Sequence, residues 1–299
     1  MTQGRYSLLQ DRGLIGIFGE DARDFLQGLV SNDCQKVGPE KAIYAAFLTP
    51  QGKFLHDFFI VGLDDWLLLD CEATRLADLL KRLQMYKLRS KVEIVDRSQD
   101  FAVAALVGSD ALTAAGLLGE PGTASAFGDG VAYVDPRLAA AGGRAILPLG
   151  EAETTLSNSG LAAGDKAAYE ALRVSLGLPD GSRDMQVDKA ILLENGFDEL
   201  NGVDWDKGCY IGQELTARTK FRGLVKKRLM PVSIDGPLPE SGAIILLDGK
   251  EAGEMRTGND NAGLALMRLE ALQKAAETGA DFTAGEATVV PKKPDWAIF

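Results

Sequence analysis

Short apolar runs, broken at regular intervals by polar or glycine residues, constrain this chain more than any other feature. Leu14–Phe18, Tyr44–Leu48, Phe54–Val61, Trp66–Asp70 and Val92–Val95 have the length and boundaries of strands. Between them lie two stretches at helical spacing. Asp21–Val30 places Phe25, Leu26 and Leu29 on one face, and Thr74–Tyr86 places Leu76, Leu79, Leu80 and Leu83 at i, i+3, i+4 and i+7. A strand, a helix, several strands, a helix and a strand predict an α+β layer of the split βαβ (ferredoxin-like) kind, with a partly antiparallel sheet.

A second unit is expected from about Phe101. Phe101–Val107 is a continuous apolar run, Ala111–Leu118 reads as a short helix, and Val131–Val134 and Arg144–Leu147 read as strands. Asp165 is placed to cap a helix through Leu176, which Gly177 and Pro179 would end. The Gly- and Ala-rich stretches Gly116–Gly130 and Ala139–Gly143 read as mobile connections. A third unit follows Gly223. Leu224–Ile234, Ala243–Leu247, Glu251–Arg256, Leu264–Met267 and Thr288–Val290 would build a small β-barrel. Asp248-Gly249 marks a two-residue hairpin turn, because both residues tolerate positive φ. The expected domains are therefore 1–98, 99–222 and 223–299, in keeping with a chain of 299 residues that is too long for one core of average size.

Composition narrows the chemistry. A net charge of -11 argues against nucleic acid or an anionic membrane as a general partner, since both need a cationic surface. The absence of a membrane-length apolar run and of a secretory leader pattern leads to the expectation of a cytoplasmic protein. Cys34, Cys71 and Cys209 are widely spaced, which suits neither a disulfide framework nor a zinc site. His56 is the single histidine, so mechanisms built on several imidazoles are excluded.

The segment with the most chemical content is Lys207-Gly208-Cys209-Tyr210-Ile211-Gly212-Gln213-Glu214. A thiol beside a cation, close to the start of a helix, is favoured as the thiolate. The same residues also suit a buried cysteine in a tight strand-to-helix turn. Lys207, Arg218, Lys220, Arg222, Lys226, Lys227 and Arg228 concentrate positive charge around it. They form either a solvated linker or a wall for an anionic ligand, the latter with Arg218-x-Lys220-x-Arg222 extended along one side. His56-Asp57 interrupts an apolar strand, which requires a partner or a cavity for at least one of the two. Asp57 could then act as an electrostatic or general-base group. Asp184 and Glu194 are carboxylates on the approach to the cysteine, in a pattern that ordinary surface also shows. Gln27-Gly28-Leu29-Val30-Ser31-Asn32-Asp33 reads as the cap of the first helix.

Several of these segments occur in one order: Phe25-Leu26-Gln27-Gly28 with Ser31-Asn32-Asp33, Thr49-Pro50-Gln51-Gly52-Lys53, Tyr86-Lys87-Leu88-Arg89-Ser90-Lys91-Val92, Leu172-Arg173 with Gly177-Leu178-Pro179, and the cysteine motif with Arg218. Together they resemble the YgfZ family of folate-binding proteins, relatives of the glycine-cleavage T-protein that act in iron–sulfur cluster maintenance. The resemblance covers most of the first 230 residues and is loose beyond them. It implies two ferredoxin-like units and a C-terminal β-barrel in a cloverleaf around a central cavity that accepts tetrahydrofolate or a derivative. It makes Cys209 the functional thiol, with Lys207, Tyr210, Gln213, Glu214 and Arg218 around it. Asp57 would face the folate, and Asp184 and Glu194 would meet its amino-pyrimidine edge. The T-protein pattern leads one to expect an Asp pair where this chain has His56-Asp57, which weakens the case for aminomethyl transfer. The resemblance therefore implies an accessory factor for 4Fe–4S proteins, with iron–sulfur client or assembly proteins as partners. The alternatives are a folate-dependent one-carbon transferase using Asp57, or a folate-binding scaffold whose cysteine is structural.

Overall fold

The computed structural model describes residues 3–299. They form two compact units. One holds the chain as far as Leu48, then Leu55–Tyr169 and Leu200–Ile211; the other holds Thr49–Phe54, Glu170–Glu199 and Gly212–Phe299. The fold is mixed α/β with two ferredoxin-like sheets and a closed β-barrel.

In chain order the first elements are β1 (Arg5–Leu8), β2 (Arg12–Phe18), α1 (Ala22–Gln27), β3 (Ile43–Leu48), β4 (Phe54–Leu63), β5 (Trp66–Glu72), α2 (Leu76–Lys87) and β6 (Glu93–Asp96). Five of these strands make one sheet in the order β3-β4-β5-β2-β6. α2 buries Leu76, Leu79 and Leu83, the stripe its spacing predicts. The helix expected to reach Val30 stops at Gln27. Val30 bridges to Phe47, and the Ser31 N–H donates to the Ala46 carbonyl at 2.9 Å, so strand pairing replaces further helix.

The next elements are β7 (Phe101–Val107), α3 (Ala111–Ala114), β8 (Ala124–Phe127), β9 (Gly130–Val134), β10 (Gly143–Pro148), α4 (Ala152–Asn158) and β11 (Ala162–Ala163). The second sheet runs β11-β1-β7-β10-β9-β8. β1 thus crosses the boundary expected near residue 98. The continuous apolar run of β7 needs neighbours on both sides, and it finds β10 on one and the N-terminal strand on the other. Two expectations are corrected here. The stretch Gly116–Gly130 contains β8, hairpinned onto β9, and Ala139–Ala141 forms a 3-10 turn leading into β10. α3 ends early because Gly116 leaves the helical region with φ +68°.

α5 (Lys166–Leu176) begins after Asp165, whose carboxylate accepts the Ala167 N–H at 2.9 Å, and ends at Gly177 with φ +73°. α6 (Gly181–Asp184) and α7 (Gln213–Phe221) follow. The barrel strands are β12 (Lys227–Asp235), β13 (Ile244–Leu247), β14 (Lys250–Asn259), β15 (Ala262–Arg268), β16 (Phe282–Ala284) and β17 (Ala287–Pro291). They close in the order β12-β15-β14-β13-β16-β17 around Met230, Val232, Ile245, Met255, Met267 and Val289. Asp248 (φ +50°) and Gly249 (φ +74°) make the expected turn between β13 and β14. α8 (Leu269–Thr278), which the strand pattern did not suggest, buries Ala271 and lays Leu272 and Ala275 against the barrel core. No helix among the described residues is long and apolar enough to cross a membrane.

Candidate functional site

The cysteine motif is anchored through the segment that ends α1. The Lys207 ammonium donates to the carbonyls of Gln27 at 2.7 Å and Val30 at 2.5 Å. The Gln27 amide returns a bond to the Lys207 carbonyl at 3.2 Å and another to Asp33 at 2.9 Å, while its oxygen accepts the Cys34 N–H at 2.8 Å. Ser31 Oγ donates to the Gly202 carbonyl at 2.6 Å, and the Asn32 amide to the carbonyls of Asn201 and Tyr44, both at 2.7 Å. The Ile211 N–H donates to the Gly28 carbonyl at 3.1 Å and the Asp204 N–H to the Ser31 carbonyl at 3.0 Å. The loop from Leu200 to Ile211 is thereby fixed along its length to residues 27–32. In sequence this segment reads as the cap of the first helix. Its run of amides and hydroxyls, more than a cap requires, was the available signal.

Lys207 works here as a cationic clamp. Burial lowers its pKa from the ordinary lysine value, with Cys34, Asp33 and Asp204 pulling the other way. The ammonium also lies 4.9 Å from the centroid of the Tyr210 ring, which is buried. Its donors are therefore directed to carbonyls and an aromatic face, which accounts for a lysine at this position without invoking thiolate activation. Gly208, with φ +91°, lets the backbone turn outward. Cys209 is exposed, which removes the alternative of a buried structural cysteine. Cys34 and Cys71 are buried, and burial pushes both thiols up to about 12. No group of three or more His, Cys, Asp or Glu placed to hold a metal ion occurs among the described residues.

His56 and Asp57 both find partners, on opposite faces of β4. His56 Nε2 lies 2.9 Å from Asp78 Oδ2 on α2, and burial brings its pKa down to about 4. Asp57 is buried and accepts the Tyr44 hydroxyl at 2.7 Å. Burial and the Asp57 charge push the Tyr44 phenol well up, so it remains a donor. Near this pair lies a buried charge network that the sequence did not announce. Asp70 accepts Arg12 Nε at 2.6 Å and Arg144 Nη1 at 2.5 Å, and Arg144 Nη2 donates to the Tyr169 hydroxyl at 2.8 Å. The guanidinium carbons of Arg144 and Arg137 lie 4.1 and 4.9 Å from the Phe59 ring centroid.

The second unit carries the remaining predicted residues. Asp184 is buried, with one oxygen accepting Arg173 Nη1 at 2.7 Å and the Asp180 N–H at 2.9 Å, and the other accepting the Thr257 N–H at 3.1 Å. Glu194, in the 3-10 turn Leu192–Asn195, is half-buried and has no side-chain hydrogen bond among the described residues. Burial raises its pKa, opposed by Lys227, Lys53 and Arg228. Gln213 and Glu214 open α7, and Glu214 pairs with Arg218 one turn on. The expected extended Arg218-x-Lys220-x-Arg222 face does not form. A helix turns about 100° per residue, so alternate residues point apart. Lys220 pairs with Asp198 and Arg228 with Glu199, so much of the cationic cluster is neutralised locally. The turn Thr49–Lys53 packs beside α7. A Cβ on Gly52 (φ +78°) would stand 2.6 Å from the Leu215 Cβ.

Comparison with known proteins follows this geometry. Residues 10–120 match the GCVT N-terminal domain family and residues 226–299 match the CAF17 C-terminal beta-barrel domain family. The chain is 36% identical to the iron-sulfur cluster assembly factor IBA57, mitochondrial, of Mus musculus, over 89% of this chain and 78% of that protein. It is 34% identical to the Homo sapiens protein of the same name, over 96% of this chain and 84% of that one. In fold it is similar to the glycine cleavage system aminomethyltransferase T from Bartonella henselae, with a TM-score of 0.77 at 16% identity, covering 99% of this chain and 87% of that one. The relatives carry the IBA57 name and not YgfZ, while the T-protein likeness holds at the level of fold. The cytoplasmic expectation does not stand, because these curated relatives are mitochondrial by name. Mitochondrial leaders are amphipathic and Arg-rich, so the lack of a secretory pattern or of a long apolar run never discriminated between the two settings.

Proposed function

Because the chain belongs to the IBA57 family of iron–sulfur cluster assembly factors, we propose that it is an accessory protein for assembly or repair of 4Fe–4S proteins and that Cys209 is its working thiol. One observation carries this reading: Cys209 is exposed on a loop that Lys207, Ser31, Asn32 and Gln27 hold in place, while Cys34 and Cys71 are sealed. A thiol held at a fixed address and open to solvent suits contact with another macromolecule. Stable clusters usually take four thiolates, so the remaining ligands come from a client, an assembly protein or a small thiol. The test is complementation of cells lacking the gene. Cys209→Ala is expected to leave 4Fe–4S enzymes inactive at normal protein levels, and full enzyme activity would overturn the assignment.

The same reading includes tetrahydrofolate or a derivative as ligand. Glu194 fits the group best, as a half-buried carboxyl with its hydrogen-bonding capacity open to an amino-pyrimidine edge. Lys53, Lys227 and Arg228 bring positive charge to that carboxyl. Asp184 has both oxygens engaged by Arg173, Asp180 and Thr257 and would act in support, with Gln213, Glu214 and Arg218 of α7 in the same unit as further candidate contacts. When bound, tetrahydrofolate is a carrier of one-carbon units. Calorimetric titration with folinic acid should show binding that Glu194→Gln weakens; undiminished binding would remove Glu194 from the site.

The buried Asp57–Tyr44 pair favours a second reading, one-carbon transfer with Asp57 positioning a cofactor nitrogen. Turnover of a methylene donor, lost in Asp57→Asn, would support it.

A further inference from the structure

The outer face of α2 carries side chains that the packing of the chain does not use. A helix turns about 100° per residue, so Ala77, Lys81, Gln84, Met85 and Leu88 fall along one line, opposite the buried stripe of Leu76, Leu79 and Leu83. All five are exposed. Met85 is 66% and Leu88 87% exposed, and no large hydrophobic side chain among the described residues is more exposed than Leu88.

The backbone puts Leu88 there at a cost. Its φ of +43° with ψ of -108° is a conformation that residues with a side chain rarely adopt. The Ser90 N–H closes the turn on the Lys87 carbonyl at 2.8 Å, and the Asp21 carboxylate accepts the Lys91 N–H at 2.7 Å. A strained turn that aims an apolar side chain at solvent gains nothing from the core.

Along this line the charge is positive. From Leu79 to Val92 the chain has five basic residues (Lys81, Arg82, Lys87, Arg89 and Lys91) and no acidic one, within a protein of net charge -11. Arg82 is matched by Asp78 and Lys91 by Glu20. Lys81, Lys87 and Arg89 have no side-chain partner among the described residues. Carboxylates stand only at the ends. Asp78, on the first turn, is also engaged by His56 and Arg75, while Asp21 and Glu93 lie at the Lys91 end.

We propose that this face docks an acidic amphipathic helix of a partner protein, whose apolar stripe covers Met85 and Leu88 and whose carboxylates meet Lys81, Lys87 and Arg89. Apolar positions in line along one helix suit a second helix laid beside it, and cations left unpaired by their own chain complement an acidic partner. A side chain fixed by its backbone loses little freedom on docking, an advantage that a fluid bilayer does not use. Two large apolar side chains also fall short of the broad face that insertion into a membrane takes. A second copy in a two-fold contact would set the three cations against themselves. Neither Cys209 nor a folate enters this docking, which goes beyond the assembly role.

Full-length protein is titrated into a fluorescein-labelled helical peptide of eighteen residues, with leucines at helical spacing on one face and glutamates flanking them, followed by anisotropy. The same peptide with lysine for glutamate, the same with serine for leucine, and phosphatidylserine vesicles serve as comparisons. The acidic leucine peptide is expected to bind best, and more weakly as salt rises. Lys81→Glu combined with Lys87→Glu and Arg89→Glu should weaken it roughly tenfold and remove the salt dependence. Leu88→Gly should weaken it by about the same factor without lowering the melting temperature, since glycine takes a positive φ freely. Met85→Ser, at an exposed position, should weaken binding with an unchanged melting curve. A lower melting temperature for Leu88→Gly would show that Leu88 serves the fold, and would overturn the proposal. So would equal binding of the serine or lysine peptide, vesicle binding without peptide binding, affinity indifferent to the substitutions, or no binding of the acidic leucine peptide.

Discussion

Lys207 and Gln27 bond to each other twice across 180 residues of sequence: the ammonium donates to the Gln27 carbonyl, and the Gln27 amide donates to the Lys207 carbonyl. This reciprocal pair closes the loop that presents Cys209. Lys207→Met keeps the length of the side chain but leaves the Gln27 and Val30 carbonyls without their donor. Loss of about 1–3 kcal/mol in urea unfolding is expected, with faster proteolysis between Leu200 and Ile211. Unchanged stability and proteolysis would mean that the loop is held by its other bonds alone.

The three thiols should separate cleanly by accessibility. Native protein treated with iodoacetamide at pH 8 is expected to take up label at Cys209, with Cys34 and Cys71 modified only after denaturation. Peptide mass spectrometry reads this directly. Native labelling of Cys34 would place the Gln27 segment in exchange with an open form, and would count against a fixed loop.

The local parts of this fold were legible. The turn at Asp248-Gly249 needs two residues of positive φ and is written in those two letters. The α2 stripe and the apolar run of β7 are likewise contained within their own segments. What escaped was non-local. Nothing in Arg5–Leu8 says that it will pair with Phe101–Val107, and nothing around Gln27 says that its polar groups await residues 200–211. The spacing Arg218-x-Lys220-x-Arg222 gives a shared face only in an extended segment, and α7 is a helix. At the candidate site the cysteine motif was recognisable, but the job of its lysine became visible only with the carbonyls it reaches.

Asp70 should be among the most sensitive positions in the chain. Its carboxylate lies between Arg12 and Arg144, all three side chains being 6% exposed or less. Asp70→Asn removes the carboxylate charge that Arg12 and Arg144 share in the buried network, for which a loss of about 3–5 kcal/mol is expected. Arg218→Ala, which breaks the exposed pair with Glu214, should cost no more than about 1 kcal/mol. Equal losses in guanidinium denaturation would show that the buried network is not what holds the first unit together.

His56 supplies a pH dependence of definite sign. Its pKa falls from an ordinary 6.5 to about 4 in the folded chain because burial, and the nearby Arg75, disfavour the imidazolium more than Asp78 supports it. Above pH 6.5 the imidazole is neutral in both states and the stabilisation is fully present. As pH falls from 6.5 towards 4, the unfolded chain binds the proton first, and stability is lost across that window. Below about 4 the folded form is protonated too and the loss is complete. A depression of this size corresponds to about 3.4 kcal/mol at most. His56→Gln removes the titration, so the stability gap between wild type and variant should shrink on acidification from pH 7 to 4.5. Parallel decline of the two proteins in urea melts would show that His56 is not the group that responds.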